Sequence, residues 1–368
     1  MSRMAGPASL MPASRSPWTW FWQGLLTVLC AWLLWHALDW AVLKAVFRPD
    51  LAACKALEHS GACWGVVAEK WQSWLFGRYP IEHYWRPALT LALWAASLAW
   101  ALWPLLRSPK PGASPSTWPG PGLVRRLIGP LTLWFLGLAL LAGGWAGLPA
   151  VDSTQWGGLP LTLLLTLVSL VVSLPLALLL AWGRLSRRAW LSWPATAVIE
   201  VVRGAPLVMW LFMAAFLLPA LMPASWQVGP VARVLVVTII FSAVYAAEVL
   251  RGALRVVADE QSEAAQVLGT SWWTAQYRII VPQALRTALP SLTSHSIGLL
   301  KDTSLVMIVS LQDLTGAMSV SLNGDVEWRP FFLEAYLVIA VAYALMCLGV
   351  AAMGRRLEQR YPALGHGQ

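Results

Sequence analysis

Four consecutive polar residues, Lys301, Asp302, Thr303 and Ser304, interrupt an apolar run at 287–311. If that run crosses a bilayer as one helix, Lys301 lies about 21 Å from its start. An ionised side chain at such depth costs about 2.5–3.5 kcal/mol, so it needs a partner, a cavity or a break in the helix. The patch could line a path for a zwitterion, whose carboxylate and ammonium both need partners. It could also be a structural pair that holds the segment against a neighbour.

A second polar segment combines a charge pair with two helix breakers. Glu200 and Arg203 are three residues apart, which places them on one face of a helix. Gly204 and Pro206 follow, and proline cannot continue a helix interior. The segment predicts either a hinge or an ion pair that caps a helix at the membrane surface.

A third pair, Glu248 and Arg251, has the same spacing near the end of the apolar run at 230–252. Glu248 could pair with Arg251 structurally or serve as an inner gate. The sequence contains no Ser/His/Asp set, Cys/His set or carboxylate dyad that would indicate catalysis, and no Cys/His cluster that would indicate a metal.

The composition excludes most classes of soluble protein. Of the 368 residues, 58% are apolar and only 12% are charged, whereas a soluble domain carries about 25% charge. We therefore exclude a soluble enzyme, a disordered chain, a coiled coil and a disulfide-stapled secreted domain. The 25 tryptophans fit a membrane protein, in which Trp gathers at the interfaces. The net charge of +9 comes from short patches between apolar runs, so no nucleic-acid partner is expected.

Eight apolar runs approach or exceed the roughly 20 residues that a helix needs to cross a bilayer. They lie at 19–46, 87–106, 127–147, 159–182, 190–222, 230–252, 287–311 and 331–353. With eight spans and a cytoplasmic N-terminus, the loops richest in Arg and Lys all fall on the cytoplasmic side. The sequence therefore predicts an all-α, polytopic membrane protein whose two termini are cytoplasmic.

The loops and a linker divide the chain. A Pro/Gly-rich linker begins at Arg107, and Pro, Gly and Ser prevent regular structure there. We expect an N-terminal extension at 1–106 with an outer loop at 48–86, the cytoplasmic linker at 107–126, a third extension helix and outer loop at 127–158, a five-span core at 159–354 and a cytoplasmic tail at 355–368. Cys54 and Cys63 lie in the outer loop, where they could form a disulfide or remain two free thiols.

The cytoplasmic loop at 253–286 has structure of its own. Residues 259–268 favour a helix that Gly269 ends, since glycine tolerates the left-handed cap conformation. A second amphipathic segment at 271–281 would end at Pro282. The two short helices would form a docking surface exposed to the cytosol, or a hairpin that lies on the membrane.

The same loop resembles the EAA motif of bacterial ABC importer permeases. The matching residues are the triplet Glu263-Ala264-Ala265, followed at the motif's offsets by Gly269, Ile279 and Pro282. Val281 stands where that motif has Leu before Pro. In this family the segment docks on a cytoplasmic ATPase. The resemblance implies that residues 263–269 form the contact and that Pro282 fixes the exit angle.

Three other stretches resemble the polar amino-acid permeases within that family. They are 200–207, which matches E-x-x-R-G-x-P-L, 245–252, which matches Y-x-A-E-x-x-R-G, and 301–305, which matches K-[ND]-T-S-L. The N-terminal extension resembles that of the longer, general L-amino acid (Aap/Bzt-type) permeases. The core resemblance covers about 159–354, more than half of the chain.

The resemblance implies a MetI-like five-helix core in a bacterial inner membrane, with a three-helix extension. It implies a transport subunit, not an enzyme, that moves polar or general L-amino acids by alternating access. This chain has no GxxxxGK[ST] loop, so ATP and Mg²⁺ would be bound by a partner ATPase dimer, and no cofactor is expected here. A second, related permease subunit and a periplasmic amino-acid-binding protein are further implied partners. An ion-coupled secondary transporter and a polytopic membrane enzyme are the alternatives.

Overall fold

The computed structural model describes residues 17–58, 60–106, 123–223 and 228–362, and they are mostly helical. The all-α class expected from the sequence is confirmed. The α-helices in this part of the chain are α1 (Pro17–Leu38), α2 (Leu51–Ala56), α3 (Gly65–Phe76), α4 (Trp85–Leu106), α5 (Leu123–Ala142), α6 (Gly158–Leu185), α7 (Ala189–Arg203), α8 (Leu207–Phe212), α9 (Leu218–Leu221), α10 (Pro230–Val267), α11 (Trp272–Ala275), α12 (Val281–Asp302), α13 (Leu314–Asn323) and α14 (Phe332–Arg360). A two-residue strand, β1 (Gln312–Asp313), precedes α13.

Length and hydropathy alone qualify four helical segments of the described residues as membrane spans. They are Trp18–Leu43, Gly158–Leu185, Pro230–Val257 and Arg329–Arg360. A bent pair, Ala189–Arg203 with Leu207–Leu221, makes a fifth if it counts as one span. The other three expected spans coincide with α4, α5 and α12, which do not pass that test. Eight spans therefore remain a prediction.

The described residues form two compact units, one within residues 1–69 and the other within 70–368. In the first, Asp50 caps α2 by accepting hydrogen bonds from the N–H groups of Ala52 and Ala53. A disulfide joins Cys54 to Cys63 across nine residues. This bridge joins α2 to the segment that follows it.

A ladder of polar side chains joins α4 to α5 in the second unit. Residues on one face of α4 each donate a hydrogen bond to a backbone carbonyl of α5. The pairs are Arg86 with Leu140 at 2.8 Å, Thr90 with Gly137 at 2.9 Å, Trp94 with Trp134 at 3.0 Å and Ser97 with Pro130 at 2.8 Å. Because carbonyl oxygens have two lone pairs, α5 keeps its own helical bonds while it accepts these. The ladder fixes the register of the two helices.

The centre of the second unit is the contact between α6 and α10. A small residue also lets α7 approach α6 closely, because a Cβ added at Gly183 of α6 would lie 2.9 Å from Ala195 of α7. Buried hydroxyls join α6 to α10, where Ser169 and Thr238 are 2.9 Å apart. Buried polar groups of this kind hydrogen-bond across helices in membranes. This packing brings the polar ends of α6, α7 and α10 together.

The segment expected as one span at 190–222 is sharply bent where Gly204 and Pro206 predicted a break in the helix. Its two arms, Ala189–Arg203 and Leu207–Leu221, meet at 97°. Pro206 lacks an N–H donor and disfavours helical geometry at Ala205, so the chain cannot continue straight. A π-helical turn at Met213–Leu217 widens the second arm.

The structure of residues 253–286 also differs from the expected pair of short helices. α10 runs unbroken for 38 residues through the expected start of the first loop helix. The second segment does not end at Pro282, which instead lies in the first turn of α12. A π-helical turn at Gln276–Ile280 precedes α12. This wider turn accommodates Pro282, which has no backbone N–H to donate. Residues 272–302 are therefore one continuous helical rod.

Candidate functional site

Glu248 is the hub of an ionic cluster where α6, α7 and α10 meet. Its carboxylate accepts a hydrogen bond of 2.8 Å from Arg184 of α6. It also accepts bonds of 3.0–3.2 Å from Arg251, one turn further along α10. Arg203 of α7 lies 3.9 Å away. The Glu248 side chain is only 18% exposed, so one half-buried carboxylate joins three helices through three guanidinium groups.

Glu200 and Arg203 do not pair with each other in the described part of the chain, although their spacing allows it. Glu200 instead accepts a hydrogen bond of 2.6 Å from Arg184. Arg203 lies 5.6 Å from the centre of the Tyr245 ring, a cation–π distance. Both charges therefore reach neighbouring helices instead of stapling α7. Gly204 and Pro206 form the bend that begins directly after them.

The polar patch at 301–304 lies where α12 ends. α12 stops at Asp302, and a 3₁₀ segment follows over Thr303–Val309. Lys301 is exposed, whereas Asp302 is half-buried and Thr303 is buried. Thr303 and Ser304 donate hydrogen bonds to backbone carbonyls one turn back, at 2.7 and 2.8 Å. The sequence required a partner, a cavity or a break in the helix for these charges, and the structure shows a break in the helix.

Lys301 continues a polar stripe along the exposed face of α12. Ser291 and Ser294 are also exposed, and their spacing of three and seven residues places all three side chains on one face. Neither Lys301 nor Asp302 has a side-chain hydrogen bond or an ion pair within the described residues. A stripe of this kind suits a second chain or an aqueous path better than lipid.

The end of α10 forms an exposed elbow in the EAA segment. Gly269 has φ +67°, and Thr270 and Gly269 donate backbone bonds of 3.0 Å to Ala265 and Gln266. This is the Schellman arrangement, which needs a left-handed residue. Ala265 is buried and Glu263 and Ala264 are exposed, while Ile279 and Pro282 lie on the rod that follows.

Apolar side chains project from the elbow. Val267 is 87% exposed and Leu268 is 76% exposed. Trp272 and Trp273 follow at 53% and 60%. Gln276 ties the elbow to the core because its amide oxygen accepts a 3.0 Å hydrogen bond from Trp182 of α6. An exposed apolar surface that is held against the core in this way is typical of a site that binds another protein.

Sequence reasoning missed the junction at the opposite end of α6. Backbone bridges pair Gly157 with Gln312 and Gly158 with Asp313. Asp313 is fully buried, caps α13 through the N–H groups of Thr315 and Gly316, and accepts a 2.8 Å hydrogen bond from Tyr343 of α14. The spacing of an Asp three residues before Gly316 is an N-cap signal that could have been found.

α3 is attached to the same junction. Lys70 forms a 2.6 Å ion pair with Asp325, and Trp74 donates a 2.8 Å hydrogen bond to Ser321 at the end of α13. A Cβ added at Gly158, which has φ +64°, would lie 2.1 Å from the carbonyl oxygen of Leu75. The end of α3, the start of α6 and β1 thus meet backbone to backbone.

Known proteins match this chain along most of its length. Residues 173–362 match the family described as "Binding-protein-dependent transport system inner membrane component". The inner membrane amino-acid ABC transporter permease protein YhdY of Escherichia coli (strain K12) is 34% identical, with 92% of this chain and 89% of the relative covered.

A second relative is the glutamate/glutamine/aspartate/asparagine transport system permease protein BztC of Rhodobacter capsulatus. It is also 34% identical, with 92% of this chain and 88% of the relative covered. Among solved structures, an amino acid ABC transporter crystallised with histidines is 29% identical, with a TM-score of 0.49 over 55% of this chain and 92% of that chain. The two sequence alignments are long enough to include most of the N-terminal extension.

Proposed function

The chain belongs to the family of inner membrane components of binding-protein-dependent transport systems, and we propose that it is the permease subunit of an ATP-driven importer of amino acids. The observation that carries the proposal is the exposed apolar elbow at 267–273, held by the Gly269 cap at the end of a 38-residue helix. A chain without a nucleotide loop must receive work from a partner mechanically. A rigid helix that leaves the membrane can transmit such a motion to the core.

We assign residues 263–269 to the contact with the ATPase dimer, which binds ATP and Mg²⁺. The unbroken α10 supports this role, because one helix joins the elbow to Glu248 in the ionic cluster. Motion at the elbow would then act on α6 and α7 through Arg184 and Arg203. The bend after Arg203 supplies a joint for alternating access between outward-open and inward-open forms.

The solute path lies between this chain and a second, related permease. The exposed polar stripe on α12, which ends at Lys301, supports this placement. A periplasmic binding protein delivers the amino acid to the outer face, and both termini of the chain are cytoplasmic. Replacement of Lys301 by Met should abolish uptake while the complex still assembles, and Lys301→Arg should retain part of the uptake. Loss of assembly in Lys301→Met would assign Lys301 to structure.

Coupling is tested by purification of the tagged chain from native membranes. A Glu263→Lys, Gly269→Ala variant should lose the ATPase and keep the second permease, because alanine disfavours the left-handed cap. Gly252→Ala is the matched control, since Gly252 lies on the same helix, also has open space around its Cα and lacks a positive φ. Failure of the wild-type chain to bring down an ATPase would contradict the proposal and favour an ion-coupled transporter.

A further inference from the structure

Arg233 has an unpartnered guanidinium nitrogen in the first turn of a predicted membrane span. It lies in the first turn of α10, at the end opposite to the elbow. Its Nε is buried without a hydrogen-bond partner, and its Nη1 lies 3.5 Å from the carbonyl oxygen of Ala215. That distance exceeds the usual range for an N–H···O bond. No carboxylate among the described residues forms an ion pair with Arg233.

Two other arginines, one buried and one partly buried, show how this chain accommodates a guanidinium group. Arg86 donates to the carbonyls of Leu140 and Pro149 at 2.8 and 3.0 Å. Arg286 also has an Nε without a partner, but its guanidinium lies 5.8 Å from the centre of the Tyr361 ring. Arg233 has one long bond to a carbonyl, at 3.5 Å, and no aromatic ring is paired with it in the described residues. Its guanidinium is therefore bound more weakly than that of Arg86.

The position of Arg233 also favours binding of an anion. A helix carries a partial positive charge at its N-terminus, so a cation in the first turn is repelled there. An arginine in a membrane span without a partner is costly, and such residues mark pathways or sites. The π-helical turn at Met213–Leu217 lies beside it and supplies the Ala215 carbonyl. Turns of this kind are frequent at functional sites.

Arg233 also begins one half-buried face of α10. The face continues through Val237, Phe241 and Tyr245 to Glu248, at steps of three or four residues. The rings of Phe241 and Tyr245 are 4.7 Å apart. Arg233 and Glu248 are fifteen residues apart, or about 22 Å along the helix. One face of α10 thus has a cation without an ion pair in the described residues at one end, and the ionic cluster at the other.

We propose that Arg233 binds the carboxylate of the transported solute at the outer end of α10. The inference rests on the proposed function, which places the elbow on the cytoplasmic side and Arg233 on the outer side. The planar guanidinium can donate two parallel hydrogen bonds to one carboxylate, and such charge-assisted pairs are strong. Arg233 thereby selects solutes that carry a carboxylate and positions them before the chain reorients. Its assignment deepens the class of solute and names the residue that recognises it.

The test compares Arg233→Met with Arg233→Lys in the full complex. Uptake of a radiolabelled mixture of L-amino acids is measured in cells at several concentrations, beside recovery of the ATPase with the tagged chain. Arg233→Met should lower the ratio of maximal rate to KM roughly tenfold or more, because a hydrogen-bonded ionic contact is lost. Arg233→Lys keeps the charge and should retain a substantial part of the uptake. Arg329→Met is the control, since Arg329 is exposed and lies in the 3₁₀ turn before α14.

The outcomes separate the inference from the proposed function. Unchanged uptake in Arg233→Met overturns the role of Arg233 while the importer stands. Loss of ATPase recovery in Arg233→Met, restored in Arg233→Lys, also overturns it, because Arg233 would then hold the fold. A wild-type chain without ATPase or uptake contradicts the proposed function itself. Impaired uptake with normal assembly, relieved by lysine and absent in the Arg329 control, supports carboxylate binding.

Discussion

Neutralisation of Glu248 should destabilise the protein far more than neutralisation of Glu200 in the same ionic cluster. Glu248 is 18% exposed and accepts hydrogen bonds from Arg184 and Arg251, with Arg203 at 3.9 Å. Glu248→Gln keeps the shape of the side chain but leaves three guanidinium groups with one remaining carboxylate nearby. The two variants therefore differ in burial and in the number of partners.

The magnitude follows from these contacts. A hydrogen bond to a charged group contributes about 1.5–3 kcal/mol, and loss of one partner of a fully buried pair costs about 3–5 kcal/mol. The Arg side chains here are 22–39% exposed, so water screens part of the loss. We expect Glu248→Gln to lower the free energy of unfolding by about 2–3 kcal/mol. Glu200 is 56% exposed and pairs only with Arg184, so Glu200→Gln should cost about 0.5 kcal/mol.

The assay is reversible unfolding of the purified chain in mixed micelles, titrated with SDS and followed by tryptophan fluorescence. Wild type, Glu248→Gln and Glu200→Gln are compared at the same ionic strength, because screening changes surface pairs most. Equal losses in the two variants would refute the ranking by burial. A loss below about 0.5 kcal/mol for Glu248→Gln would refute its role as the hub of the cluster.

Three further predictions concern Gly158, the Cys54–Cys63 bridge and the Lys70–Asp325 ion pair. Gly158→Ala should prevent folding of the core, because residue 158 has φ +64° and the added Cβ would lie 2.1 Å from the Leu75 carbonyl oxygen. Gly298→Ala is the control and should be neutral, since a Cβ at Gly298 has open space around it. The recovery of monodisperse protein in detergent distinguishes the two variants. Reduction of the Cys54–Cys63 bridge, or its replacement by two serines, should destabilise the loop at 48–86 by roughly 2.5 kcal/mol, because the unfolded loop gains entropy. Limited proteolysis should then cut within 48–64. An unchanged digest would contradict this. The hydrogen bond from Lys70 holds the pKa of Asp325 below its ordinary value. That pair therefore stabilises the fold above the unfolded pKa of about 3.9, and the contribution is lost as pH falls through the lower, folded value. Lys70→Gln should reduce this loss of stability at acid pH in a titration of thermal stability, because only the backbone bonds to Asp325 would remain.

Local signals in the sequence predicted the parts of the fold that depend on neighbouring residues. Gly269 ends α10 because a left-handed cap needs almost no tertiary context. The break after Arg203 follows from Pro206, although its angle of 97° depends on packing. Pro282 shows the limit of such rules, since the π-helical turn before it lets the helix continue.

Contacts between distant segments could not be predicted from spacing. Arg184 and Glu248 are 64 residues apart in the sequence, and helical periodicity does not predict a contact between residues on different helices. The same holds for Asp313, whose partner Tyr343 lies 30 residues further on a different helix. In the sequence, Arg233 is only a charge near the start of an apolar run, and the burial of its Nε without a partner depends on how the helices pack.

ATP-dependent uptake in proteoliposomes shows whether this chain is the permease of an amino-acid importer. The chain is reconstituted with its second permease and its ATPase, and radiolabelled L-amino acids are presented with the binding protein. We expect uptake that requires both ATP and the binding protein, that is lost in the Glu263→Lys, Gly269→Ala variant and that persists without an ion gradient. Uptake that proceeds without ATP and collapses when the ion gradient is dissipated would contradict this expectation.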